Sequence, residues 1–173
     1  MKYFLLPFFF IFLFSINSVN SDQNIAFINM DKVISKSNAG SSILKQLTDL
    51  NNKNLQFLKN EEKKFKEKEI KLISQKNIIS EADFQNKVNE LKSEIKNYNQ
   101  NRDKMIKEFN KLKVDNTNNL LKLINPILLK FSDDKEISIV LQKKDLVVAK
   151  TELDITEDII KIVNAEIKEL KIK

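Results

Sequence analysis

The chain has no Cys, no His and no Trp, and only one Gly (Gly40) and two Pro (Pro7 and Pro126) in 173 residues. Each absence excludes something. A phosphate-cradling loop needs several glycines so that the backbone can approach the anion, and one Gly cannot build it. Without His or Cys there is no zinc site of the usual ligand type, no Cys or Ser–His nucleophile system and no redox dithiol. Compact all-β folds need many tight turns built on Gly, Pro or Asn-Gly steps. Long helices are therefore favoured before any pattern is read.

What is present is charge and apolar periodicity. There are 30 Lys+Arg and 24 Asp+Glu, a formal net charge of +6. The first 21 residues stand apart. Lys2 precedes an apolar run from Tyr3 to Phe14 and a polar stretch, SINSVNS. That is the layout of a secretory signal peptide, with cleavage expected near Ser21. The run is too short to span a bilayer, which takes about 20 residues, and it carries Pro7. Retention as an anchor is the alternative. The chain past residue 21 is expected to be exported. No Cys exists to carry a lipid.

From Phe84 onward one face repeats every seven residues. One series is Phe84, Leu91, Tyr98, Met105, Leu112; the other is Val88, Ile95, Arg102, Phe109, Asn116, Leu123. The alternation of four and three is a coiled-coil seam. A weaker seam precedes it: Leu44, Leu47, Asn51, Asn54, Leu58, Glu61, Phe65, Lys68, Leu72. Ser80, with Asp83 three residues on, reads as a helix cap after a turn near Gln75–Ile79. A short connection makes the two helices antiparallel neighbours. A fold-back near residue 78 sets Leu72 against Phe84, Phe65 against Leu91 and Leu58 against Tyr98. The polar level of Asn51, Asn54 and Arg102 is expected to be the loosest part of this arm.

The ends of the chain read as a small body. NIAFIN (Asn24–Asn29) is a strand, followed by a short helix, with Ser37 or Asn38 capping the first long helix. EISIVL (Glu136–Leu141) and DLVVA (Asp145–Ala149) are two further strands. A last helix is expected over 157–170, capped by Asp154 with Glu157 or by Thr156. Pro126 should kink the helix where arm meets body. Ile25, Phe27, Ile137, Ile139, Leu141 and Val147 are the candidate body and subunit-contact residues. A three-stranded open sheet invites pairing with other chains, so the body is expected to close by oligomerising. The fold class is α+β, mostly α. The segments are 1–21 as signal, 22–40 and 126–173 as body, and 41–125 as helical hairpin arm.

This layout resembles the Skp/OmpH family of periplasmic chaperones. The resemblance is carried by IAFINMDKV (Ile25–Val33), SNAG (Ser37–Gly40), LINPILLKF, EISIVLQK, DLVVAKTELDIT and DITEDIIKIVN (Asp154–Asn164) in that order. One departure is Asn29, where the family often has Asp. The resemblance implies a homotrimer shaped like a jellyfish, with a shared β body and three arms around a cavity. It implies unfolded outer-membrane proteins as clients, held without ATP. No site motif carries over, because the family's binding surface is a diffuse lining.

The charge distribution accords with this. Residues 41–125 hold 18 Lys+Arg and 12 Asp+Glu, a net of +6, while the rest of the chain past residue 21 holds 11 and 12, a net of −1. Basic arms attract acidic polypeptide segments, and also anionic lipid or lipopolysaccharide, with rates that fall with salt. The candidate client contacts are Phe57 and Leu50, which with Ile43 form a stripe beside the seam, and the cations Lys63, Lys64 and Lys66. Packing within the arm base is the plainer role for Ile43 and Leu50. No catalytic residue, metal or cofactor is expected, and export argues against nucleic acid. The alternative function is a structural or adaptor coiled coil of the cell envelope.

Overall fold

A computed structural model describes residues 24–173. The expected signal peptide lies outside the described residues. The elements in order are β1 (Asn24–Ile28), α1 (Met30–Lys36), α2 (Asn38–Gln75), α3 (Glu81–Asp134), β2 (Ile137–Gln142) and α4 (Thr156–Glu166). Two short 3-10 turns, Lys143–Asp145 and Thr151–Leu153, separate β2 from α4.

The long helices begin where the sequence offers caps. Ser37 accepts a hydrogen bond from the Gly40 N–H at 3.2 Å and starts α2. Ser80 accepts one from the Asp83 N–H at 3.1 Å and starts α3, with Glu81 and Asp83 in the first turn, where negative charge suits the helix dipole. Ser37 also ends α1, its own N–H bonding the Val33 carbonyl at 3.0 Å. The chain therefore turns from α1 into α2 with no loop. That junction requires the lone glycine. A Cβ on Gly40 would lie 1.5 Å from the Ile34 carbonyl oxygen and 2.6 Å from its carbon.

α2 and α3 form an antiparallel hairpin arm. At 1.5 Å per residue, the 38 and 54 residues of these helices make rods of roughly 57 and 81 Å. Tyr98 sits level with Leu58, as the seam predicts, its hydroxyl 3.5 Å from the Leu58 carbonyl. Toward the tip the contacts run about a turn ahead of that register. Phe65, expected level with Leu91, meets the Tyr98 ring edge-on at a centroid distance of 5.3 Å. Lys68 pairs with Glu94, and Lys87 donates to Gln75 at 3.1 Å. Side chains lean toward the N-terminus of their own helix, down the arm on α2 and up it on α3, which shifts contacts in this direction. α3 runs through Pro126 as one helix.

The core lies at the arm root. Ala26 and Ile28 of β1, Val33, Ala39, Ile43, Leu47, Leu120, Ile124, Ile127, Ile155, Ile159, Ile160 and Val163 make one buried cluster. It draws on both ends of the chain and on the first and last turns of the arm helices. It therefore extends past residues 40 and 126 into the arm.

β1 and β2 form a parallel two-stranded sheet, with Ile25 opposite Ile139 and Phe27 opposite Leu141. The third strand expected over Asp145–Ala149 is not formed. The chain turns at Lys143–Asp145, Leu146 N–H bonding the Lys143 carbonyl at 3.2 Å, and Val147 is 100% exposed. A β-rich sequence makes a strand only when it pairs with a partner edge, and among the described residues this segment pairs with none. Only an isolated bridge joins Phe27 to Asp154.

The last helix also differs from expectation. It ends at Glu166 rather than 170 and starts at N-cap Ile155, without a side-chain cap. Asp154 instead accepts bonds from the Thr156 N–H at 3.0 Å and from Lys143 Nζ at 2.7 Å. Thr156 Oγ accepts from the Asn29 N–H at 2.8 Å, which ties α4 to the end of β1. Partial burial alone would raise the Asp154 pKa. The bonds from Lys143 and from the Thr156 hydroxyl and N–H outweigh it and hold the group below the ordinary carboxylate value.

Candidate binding surface

The arm offers surface rather than a closed pocket. Near its middle an open cleft of about 620 Å³ is lined by both helices. Phe57, Leu58, Phe65, Tyr98 and Met105 supply its apolar part, and Lys64, Lys68, Arg102 and Lys104 its cations. It adjoins the polar seam level, where Asn54 and Arg102 interrupt the apolar layers. Arg102 turns to its neighbour Asp103, at 3.1 Å, rather than across the seam.

The predicted client residues fall in different settings. Phe57 is 51% exposed and lines the cleft. Lys64 also lines it, paired with Glu61 at 2.7 Å. Lys63 lies in a neighbouring groove with Phe57, its Nζ 3.8 Å from Glu67. Lys66 is exposed and belongs to none of the ion pairs among the described residues. Leu50 is half-buried, one turn beyond the core residues Ile43 and Leu47. Phe57, Lys63 and Lys64 are therefore brought together, while Leu50 lies nearer the root.

These ion pairs are exposed, except that Glu61 is half-buried. Such pairs contribute about 0–1 kcal/mol, so a cation can exchange its partner for an incoming carboxylate at little cost. Tyr98 is more firmly held. Its hydroxyl donates to Glu62 at 2.9 Å, and desolvation, then that carboxylate, raise its pKa.

Sequence reading missed several arm residues. Ile70, Ile73 and Ile78, near the tip, are 60%, 64% and 79% exposed, and Leu55, Ile106 and Val114 are exposed lower down. The available signal was their position off the heptad seam: an apolar residue that fits neither series has no partner within the hairpin.

At the root, the sheet presents a second apolar face. Ala26 and Ile28 turn into the core; Ile25, Ile139 and Leu141 of the predicted set are 41%, 43% and 39% exposed. Ile137 is partly buried against the core, and Phe27 is buried, with the Lys143 ammonium 5.4 Å from its ring centre. Val147 and Val148, on the body, are exposed as well. Among the described residues no helix is long and apolar enough to cross a membrane.

The order of elements and the arm geometry agree with a known protein family. A family model described as outer membrane protein (OmpH-like) matches residues 24–163. The chain belongs to the OmpH-like family. Among solved structures, one from Caulobacter crescentus, assigned as an outer membrane chaperone (OmpH-like), superposes with a TM-score of 0.80. It is 15% identical, and the match covers 87% of this chain and 89% of that one. At that identity the likeness establishes the fold: an α+β chain with a long coiled-coil arm. No curated protein matches the chain.

Proposed function

We propose that this OmpH-like chain is an ATP-independent holdase of the periplasm that binds unfolded outer-membrane proteins between helical arms. Membership of the family and the fold support a periplasmic outer-membrane chaperone role. The holdase mechanism rests on one observation above all: a long arm bearing isolated exposed apolar side chains among labile ion pairs. Phe57, Ile70, Ile73, Ile106 and Val114 are each large enough to hold an apolar client segment, and none lies in a closed pocket. Contacts of this kind are weak and numerous, so a client stays soluble and leaves without an energy source. Lys63, Lys64 and Lys66 add long-range attraction for acidic segments.

The working form in this reading is a homotrimer. The body, residues 22–40 and 126–173, leaves Ile25, Ile139, Leu141 and Val147 exposed, with the 145–149 segment unpaired. Pairing with neighbouring subunits would cover these side chains and give the segment an edge to join. Arms 41–125 from three copies would enclose the client. Anionic lipid or lipopolysaccharide is a second partner for the basic arms. No catalytic step is part of the mechanism.

The test is dilution of a urea-unfolded outer-membrane β-barrel protein into buffer, followed by light scattering. Three chains per client should suppress scattering. Undiminished scattering would refute the holdase, and a structural or adaptor coiled coil would then be the better account.

A further inference from the structure

The residues after α4 form an extended strap. The family match stops at residue 163, so the strap lies beyond it. After Ile167, whose N–H still bonds the Val163 carbonyl at 2.7 Å, the helix gives way. Residues 167–173 then run along the roots of α2 and α3. Ile167, Leu170 and Ile172 pack on the core cluster, while Lys168, Lys171 and Lys173 stay exposed.

Two carboxamides, one on each arm helix, hold the strap by its main chain. Gln46 on α2 donates Nε2 to the Leu170 carbonyl at 2.7 Å and accepts the Ile172 N–H at 3.3 Å. Asn116 on α3 accepts the Lys173 N–H and donates to the Lys173 carbonyl, both at 3.3 Å. Ser42 adds a bond to the Leu170 carbonyl at 3.3 Å. A carboxamide that gives one bond and takes one copies the edge of a β-strand. It reads groups that every extended peptide carries, whatever its sequence.

Asn116 points to this role most strongly. It occupies a seam position and is 4% exposed. An apolar residue would serve the coiled coil better, because a buried carboxamide is tolerated only when its bonds are made. Its nitrogen has a local partner in the Leu112 carbonyl at 2.7 Å, but its oxygen is met by the strap. Beside the strap, on the α2 side, an open groove of about 990 Å³ runs past Ser42, Gln46 and Asp49.

We infer that the arm root is a binding site for an extended polypeptide segment, and that residues 167–173 occupy it as a built-in competitor. The ligand is a main chain with apolar side chains on one side and polar ones on the other. That is the pattern of a strand from an unfolded barrel protein. The inference rests on the chaperone reading for the source of that strand. A tethered segment acts at an effective concentration in the millimolar range. A free segment therefore displaces the strap only at millimolar concentration or above, or when other contacts along the arm raise its local concentration. The strap thus admits long clients in preference to short peptides.

The test uses the full chain and a fluorescent peptide of the strap's own sequence, IKELKIK. In a Leu170→Asp/Ile172→Asp variant the strap cannot seat its apolar side chains. The peptide should bind that variant with an apparent Kd at least about tenfold lower than it binds the unaltered chain. Adding Asn116→Leu to the released variant should abolish the binding. Equal Kd values for the unaltered chain and the released variant, or binding that survives Asn116→Leu, would overturn the site. Hydrogen exchange on the unaltered chain gives a second readout. Saturating peptide should speed exchange at the Ile172 and Lys173 amides and leave mid-α3 amides unchanged; no change at Ile172 and Lys173 would also overturn it. Peptide displacement without suppression of client scattering would refute the chaperone reading and leave the groove standing. Suppression without displacement would refute the groove alone.

Discussion

Gly40→Ala sets two physical effects against each other. Gly is about 1 kcal/mol worse than Ala inside a helix, so propensity alone predicts that the change stabilises. The close approach of α1 to α2 predicts the opposite. The new Cβ would lie 1.5 Å from the Ile34 carbonyl oxygen and 3.0 Å from Ser37 Oγ. Both the oxygen and its carbon are backbone, so no rotamer relieves the contact. To reach ordinary van der Waals distance the helices must separate by roughly 2 Å. That separation breaks the Ser37 cap, which contributes about 1 kcal/mol. It also loosens Val33 and Ala39, both fully buried. Overpacking of a tight core costs about 1–3 kcal/mol, and a rigid backbone contact puts this case at the upper end. The net expectation is a loss of about 3 kcal/mol. For a chain of this size that lowers Tm by about 6–12 °C. Far-ultraviolet circular dichroism on heating, at one fixed chain concentration, reads it, with Lys45→Ala as an exposed control expected within about 0.5 kcal/mol. An unchanged or raised Tm for Gly40→Ala would refute the reasoning.

Further expectations follow from other residues. Glu136 joins α3 to β2 at φ 54, a left-handed conformation that costs a non-Gly residue about 1 kcal/mol or more, so Glu136→Gly should raise the urea midpoint; a lowered midpoint contradicts this. The bonds to Asp154 favour its ionised form. They stabilise in full above the unfolded carboxylate's pKa of about 3.9, and that stabilisation is gone once the pH falls through the lower folded value. Asp154→Asn should therefore destabilise most near pH 7 and progressively less as the pH falls below the unfolded carboxylate's pKa, measured by urea unfolding across that range, whereas a gap that does not narrow in acid would contradict the assignment. Reversal of charge at Lys63, Lys64 and Lys66 together should slow client capture in stopped-flow fluorescence, most at low salt; a rate that ignores the change removes the electrostatic part of the mechanism.

The arm was legible in the sequence because its determinants are local. The heptad series from Phe84 and the caps at Ser37 and Ser80 depend on residues within a few turns, and the structure keeps them. The strands NIAFI and ISIVLQ were legible for the same reason. The segment 145–149 was not. Its Val-rich pattern gives β propensity, but a strand also needs a pairing partner, and among the described residues the segment pairs with none. The strap was misread as helix because residues 164–170 continue an amphipathic pattern. Its course is decided by Gln46 and Asn116, which bond residues that lie far along the sequence. Periodicity cannot register such partners. The same applies to the cleft. Phe57 could be singled out by its stripe, but its grouping with Lys64, Tyr98 and Met105 depends on how two helices lie together.

The central claim is a cage of three chains around one unfolded client. Size-exclusion chromatography with multi-angle light scattering tests it directly, using the chain without its first 21 residues mixed with a urea-unfolded outer-membrane β-barrel protein. The account predicts a free species of three chains and a co-eluting complex whose mass equals three chains plus one client. A stable monomer or dimer that elutes apart from the client would contradict it.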